Sequence, residues 1–219
     1  MDTWTLLQLA DSAFPTGAFA HSAGLEAAVQ LGRVSDAVGL AGFVEEVLWS
    51  AGRSALPFVA AAIRAPEALP ALDARCDAAT PGHVANRASR AQGLAFLRVA
   101  AEAFGGATEV LASRARQAGI AGHLAPSFGA VLGTLGTGEQ EACRLFLFGA
   151  ARGLISAAVR LGAAGPLEGQ RLLARQREVA ESVLVATAGL APEAAASAAP
   201  LLDLLQAHQD RLYSRLFQS

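Results

Sequence analysis

The sequence predicts an all-α fold: a single-domain helical bundle of about ten helices filling residues 1–219. Three observations predict it. Apolar residues recur at three- and four-residue intervals through most of the chain. No segment alternates convincingly with the two-residue period of a strand. Gly and Pro fall between the periodic segments. With 53% hydrophobic and only 16% charged residues, the chain has ample material for a core. A surface so short of charge either hides part of itself against a protein neighbour or reflects a composition rich in small alanines.

The first helices are expected around Thr5 to Ser12 and Ala23 to Leu31. After Ser35, the residues Leu40, Phe43, Val44, Val47 and Leu48 form one helical stripe, with Glu45 and Glu46 off it. Ser35 or Asp36 can cap this helix by accepting bonds from its free amides. Further helices are expected at Ala55 to Arg64 and Val84 to Phe104, the latter broken by Gly105-Gly106. Ala65 to Gly82 and Gly119 to Ala125 read as loops. From Glu139 to Gly162 apolar residues point in nearly all directions, which places that helix in the middle of the bundle. Thr137 and Gln140 fit a capping box at its start, and Gly149, Ala150, Gly153 and Ala157 are small enough for close helix approach. Gly165-Pro166 opens the next helix, and Gly189 and Pro192 close it. The last helix begins near Pro200, with Leu201, Leu205, His208, Leu212 and Leu216 in one stripe. Leu202, Leu204, Tyr213 and Phe217 widen its apolar area.

Several function classes drop out on composition. The net charge of −2, with cations spread along the chain, argues against nucleic acid as a partner. All 17 cationic residues are Arg, so there is no P-loop, Schiff-base or general-base lysine. Cys76 and Cys143 form no Cys-x-x-Cys pair and read as free thiols of a cytoplasmic protein. Met1-Asp2-Thr3-Trp4 carries no basic leader, and the longest uncharged stretch, Gln117 to Gly138, contains His123, Pro126 and many glycines. Neither a signal peptide nor a membrane span is expected. His21, His83, His123 and His208 are far apart in sequence and make no metal motif, so no resident metal or cofactor is expected.

The segment around Pro15, Gly17 and Gly24 is the most informative. Pro15 fixes φ, the two glycines permit conformations closed to other residues, and Phe14 and Phe19 put aromatic rings beside them. Such a turn is either an internally packed loop or a shaped contact surface. Ala20-His21-Ser22-Ala23-Gly24 also has the form of a nucleophile elbow, which gives a serine hydrolase using Ser22 as an alternative. An elbow needs a strand before it; Phe14-Pro15-Thr16-Gly17 reads as a turn. A generic helical adaptor is the other alternative.

Phe14-Pro15-Thr16-Gly17-Ala18-Phe19-Ala20-His21-Ser22-Ala23-Gly24-Leu25-Glu26 resembles the N-terminal signature of the urease accessory protein UreF family: Pro-x-Gly, an aromatic, then Ser-x-Gly-Leu-Glu. Three more segments are similar to that family in the same order. They are His123 with Pro126, Phe128 and Gly129; Ser156 to Gly162 with Gln170; and the ending Leu212-Tyr213-Ser214-Arg215-Leu216-Phe217-Gln218-Ser219. Two departures stand out: Phe19 where some members carry Tyr, and Gln218 where Arg is common.

The resemblance implies an all-helical homodimer without catalytic activity. It implies a bridge between UreD (UreH in some species) and the GTPase UreG, in a complex that delivers nickel to apo-urease. Carried over by motif, Phe19, His21, Ser22 and Arg215 are candidates for the GTPase side, and Leu212, Tyr213, Leu216 and Phe217 for the UreD/UreH side. Residues 200–219 are then a C-terminal docking helix that orders against a partner. Arg215 either acts as an arginine finger in trans or makes a plain ion pair. His21 and His208 are expected to line a nickel route rather than to form a tight site.

Overall fold

A computed structural model describes all 219 residues, which form eleven α-helices, four short 3-10 turns and no strand. The helices are α1 (Thr3–Ala10), α2 (Leu25–Gln30), α3 (Ala37–Ser54), α4 (Leu56–Arg64), α5 (Leu69–Ala79), α6 (His83–Phe104), α7 (Gly106–Gln117), α8 (Leu124–Thr134), α9 (Glu139–Arg160), α10 (Pro166–Thr187) and α11 (Pro200–His208). One contiguous apolar core runs through them.

The stripe in α3 is buried as its spacing requires, with Leu40, Phe43, Val44 and Leu48 inside and Glu45 and Glu46 outside. Its cap is Asp36, whose Oδ1 accepts the Gly39 N–H at 2.8 Å. α9 packs against α3, α4 and α10 and buries Leu147, Leu154, Ile155, Ala157 and Ala158. It is the one helix long and apolar enough to cross a membrane; contrary to the expectation of a helix in the middle of the bundle, it buries one face and leaves Phe148 and Ser156 exposed on the other. Beneath it, α4 and α8 are nearly fused. A Cβ on Gly129 would sit 2.3 Å from the Val59 carbonyl oxygen, and one on Gly133 would sit 2.6 Å from that of Ile63. The glycines therefore set the α4–α8 distance.

Three further expectations are corrected, and one helix that the periodicity did not indicate, α7, is added. Ala65 to Gly82 is not a loop, because α5 occupies most of it. Its stripe is only Leu69, Asp73 and Cys76 wide, and Pro70 sits in its first turn, where no amide partner is lost. α7 follows Gly105 directly and was masked by its polarity; Thr108 anchors it by donating to the Gly105 oxygen at 2.7 Å. Thr137 makes no capping box: α9 starts one residue later, at Glu139 after Gly138, and the Thr137 hydroxyl meets the Met1 sulfur at 3.4 Å. The C-terminal helix stops at His208, followed by one 3-10 turn to Arg211, so Leu212, Tyr213, Leu216 and Phe217 are not helical.

The stretch before α8 is a loop, as expected. It is pinned by the buried Asp73 carboxylate, which accepts the N–H groups of Ala121, Gly122 and His123 at 2.7, 3.0 and 2.6 Å. Cys76 and Cys143 are unpaired and buried, and burial pushes their thiols up to about 12 and about 11, so neither is a reactive thiolate.

Candidate functional site

The turn that precedes α2 and the tail that follows α11 lie against each other. In the turn, Phe14 is buried between Phe96 and Phe104, with ring centroids 5.7 and 6.2 Å away. Gly17 takes φ +75° with open space around it, so the conformation alone requires glycine there. Gly24 takes φ +86°, and a Cβ on it would lie 3.1 Å from the Gln206 main chain, so glycine there also lets α11 approach.

The tail returns as an irregular segment with bends at residues 213–214 and 216–217, attached through its backbone groups. Glu26 is the centre of the attachment. Its side chain is buried, and its carboxylate accepts the N–H groups of Leu216 and Phe217 at 2.6 and 3.1 Å and the Gln209 amide at 2.6 Å. No cation pairs with it; three N–H donors satisfy the charge. The Ser22 N–H and hydroxyl both donate to the Ser219 main-chain oxygen, at 2.5 and 2.9 Å. Gln218 N–H donates to the Ala20 oxygen at 2.8 Å, and His21 Nδ1 lies 2.7 Å from Ser219 Oγ. Burial, reinforced by the Arg87 charge, pulls the His21 pKa below the usual histidine value, which keeps that ring neutral at pH 7.

Two further contacts bind the seam to the bundle. Arg160, at the end of α9, donates to the Phe19 carbonyl oxygen and stacks 4.4 Å over the Phe217 ring. Asp210 accepts both Arg87 amino groups at 3.2 and 2.9 Å and that of Arg215 at 3.2 Å, with His83 Nε2 at 3.3 Å. The Arg87 bonds are the main reason the Asp210 carboxyl titrates below its ordinary range. Under the turn, Phe96 continues to Phe128 at 5.2 Å and Phe128 to Phe146 at 5.4 Å. These rings floor a groove of about 510 Å³, walled by the turn on one side and by Phe148 and Arg152 on the other.

Three of the four sequence segments that resemble one family thus meet at this seam, the turn, Arg160 beside it and the tail across it, while the fourth reaches the groove beneath through Phe128 and ties its His123 to Asp73, Ser89 and Asp77. Comparison with known proteins agrees. A family model for UreF matches residues 34–177, well over half of the chain. The chain belongs to the UreF family of urease accessory proteins. It is 38% identical over 222 residues to urease accessory protein F of Oryza sativa subsp. indica, covering 98% of this chain and 84% of that one. The Arabidopsis thaliana protein of the same name is 37% identical over 221 residues, covering 99% and 92%. UreF of Arthrobacter sp. (strain FB24) is 32% identical over 220 residues, covering 98% and 96%. The UreF family match begins after the turn and ends before the tail, but the alignments to these relatives include both.

The candidate residues fall into two groups. Pro15, Gly17 and Gly24 shape the turn. Phe19 is 74% exposed at its crest, and Arg215 is exposed beside Asp210. Ser22 is buried, with its hydroxyl committed to the tail, and His21 faces Ser219 rather than Ser22. The arrangement does not expose a serine nucleophile, and no strand precedes it. Of the four tail residues expected to share one docking face, Phe217 is buried against Arg160 and Leu212 is half-buried, while Tyr213 and Leu216 face outward with Leu201 and Leu204. Arg87, Gln209 and Asp210 complete the seam without having been singled out, while Glu26 and Arg160 were present in the family segments but not read as site residues. Glu26 carried a signal, being an acid inside the apolar start of a helix; Gln209 and Asp210 carried none. No three His, Cys, Asp or Glu side chains converge in metal-binding geometry.

Proposed function

We infer that the chain is a non-catalytic scaffold of urease maturation, which joins a UreD/UreH-type protein to a UreG-type GTPase in the cytoplasm while nickel is delivered to apo-urease. The convergence of three family segments, the turn, Arg160 and the tail, on one seam carries the reading. Phe19 and Arg215 at the exposed edge of that seam form the GTPase side. Tyr213, Leu216 and the neighbouring Leu201 and Leu204 form the UreD/UreH side, where about half or more of each side chain except Leu201 lies open. Nickel is cargo in this reading, and His21 lines its surroundings rather than binding it, because its Nδ1 is engaged with Ser219.

Self-association belongs to the same reading. The outer face of α9 presents Phe148, Gly149 and Gly153, and a Cβ at either glycine would meet nothing within 4 Å. Another copy's helix fits such a face closely. The test is co-purification of the chain with its UreD/UreH-type and UreG-type partners. Phe19→Ala is expected to lose the GTPase and keep the other partner, and Leu216→Asp to do the reverse. Retention of both partners by both variants would refute the assignment.

A further inference from the structure

α6 and α7 form an antiparallel pair; α6 turns His83, Arg87, Phe96 and Phe104 to the seam, but a different face of it, with Leu97 and Arg98, lies toward α7. At one end they are joined through Gly105. At the other, a Cβ on Gly122 would lie 2.3 Å from the Leu94 side chain. Between them runs an open groove of about 750 Å³ with Leu97, Ala112 and Ala115 buried in its floor. Its rim carries Arg98, Glu102, Glu109 and Arg116, all exposed. None of these four joins any of the ion pairs of the chain, all of which lie elsewhere.

The four charges are sorted. Glu102 and Glu109 flank the Gly105 end; Arg98 and Arg116 lie toward the Leu94–Gly122 end. The macrodipoles of two antiparallel helices oppose each other, so these side chains set the polarity of the groove. A groove with an apolar floor, an acidic end and a basic end complements an amphipathic α-helix with its positive N-terminus at the acidic end. The α6 stretch from Leu94 to Gly105 runs roughly 17 Å, about three helical turns.

We propose that the α6–α7 groove docks a partner's amphipathic helix of about three turns, with basic residues in its first turn lying over Glu102 and Glu109 and acidic residues in its last turn lying over Arg98 and Arg116. This surface is separate from the seam and stands whether or not the partners assigned there are correct.

The probe is a fluorescent, end-capped 14-residue peptide. It carries an apolar stripe at helical spacing, two Lys in its first turn and two Glu in its last. The control has the same composition with the charges interspersed. Fluorescence anisotropy against the full chain is expected to show the sorted peptide binding about threefold tighter than the control, because the four matched charges outweigh the cost of setting Lys and Glu against the peptide's own helix dipole. Glu102→Arg/Glu109→Arg is expected to erase that preference while circular dichroism stays that of the parent. Arg98→Ala, a milder change at the other end, is expected to lower it about twofold. Equal affinity for the two peptides, or no binding of either at millimolar concentration, would overturn the proposal. So would a concentration-dependent dimer that Arg98→Glu/Arg116→Glu dissolves, because the occupant would then be a second copy of this chain.

Discussion

Replacing Glu26 by Ala removes the acceptor that holds the tail. Three donors lose their partner: the Leu216 and Phe217 amides and the Gln209 side chain. Hydrogen bonds to a charged group are worth about 1.5–3 kcal/mol each, and neighbouring bonds are not additive. The undocked tail regains water for its amides, so the net local loss is about 3–4 kcal/mol rather than the full sum. At about 1.4 kcal/mol per decade, the undocked population rises by two to three orders of magnitude. Native-state hydrogen exchange of residues 214–219 reads this directly, and protection there is expected to fall by about that factor. The core amides of α4 and α8 are expected to keep theirs, because no Glu26 contact reaches them. Ser22→Ala, which deletes the hydroxyl's bond to the Ser219 oxygen and the long one it accepts from the Glu26 N–H at 3.4 Å, is the graded control and is expected to cost about 1 kcal/mol. Unchanged tail protection in Glu26→Ala would refute the assignment of Glu26 as the clamp.

Three further outcomes follow from the geometry. Gly129→Ala, with its Cβ driven to 2.3 Å from the Val59 oxygen, is expected to destabilise by about 3 kcal/mol and to lower Tm by roughly 6–12 °C in a thermal melt. Gly17→Ala meets no atom and strains only a φ of +75°, so its loss is about 1 kcal/mol and roughly 2–4 °C by the same melt. The His21 pKa is depressed from 6.5 in the folded chain, so the unfolded chain binds the proton first and stability is lost as pH falls below 6.5 toward the folded value. Melts of the parent and of His21→Asn across pH 7.5 to 5 are expected to show this loss in the parent and its absence in the variant.

The legible part of the fold was the part whose stripes are wide. α3, α9 and α10 each bury large residues at helical spacing, so period identified all three, with correct start signals for α3 and α10. α5 and α7 escaped because a buried Asp73 and a run of Ala, Arg and Thr carry little periodic signal, and their place is set by contacts with α6 and α8. The tail misled in the opposite direction. Leu205, Leu212 and Leu216 keep a helical spacing, but the chain leaves the helix after His208, and the buried Glu26 takes the amides of Leu216 and Phe217 instead. A tertiary acceptor outcompeted local periodicity, and no local rule reports an acceptor some 190 residues away. For the site, the turn and tail were both visible as motifs, but their contact was not. Arg160, which touches both, and Asp210, which ties the tail's Arg215 to Arg87 of α6, give no sign of these roles until the fold brings their partners together.

The central claim is that the turn and the tail act as one partner-binding unit, held by Glu26. The most direct test is the affinity of the UreG-type GTPase, in the presence of the UreD/UreH-type partner, for the parent, Arg215→Ala and Glu26→Ala. Glu26 is buried and touches no partner, yet its loss is expected to weaken binding about as much as loss of Arg215, tenfold or more if the two act through one docked tail. Parental affinity in Glu26→Ala, with hydrogen exchange showing its tail released, would contradict the claim.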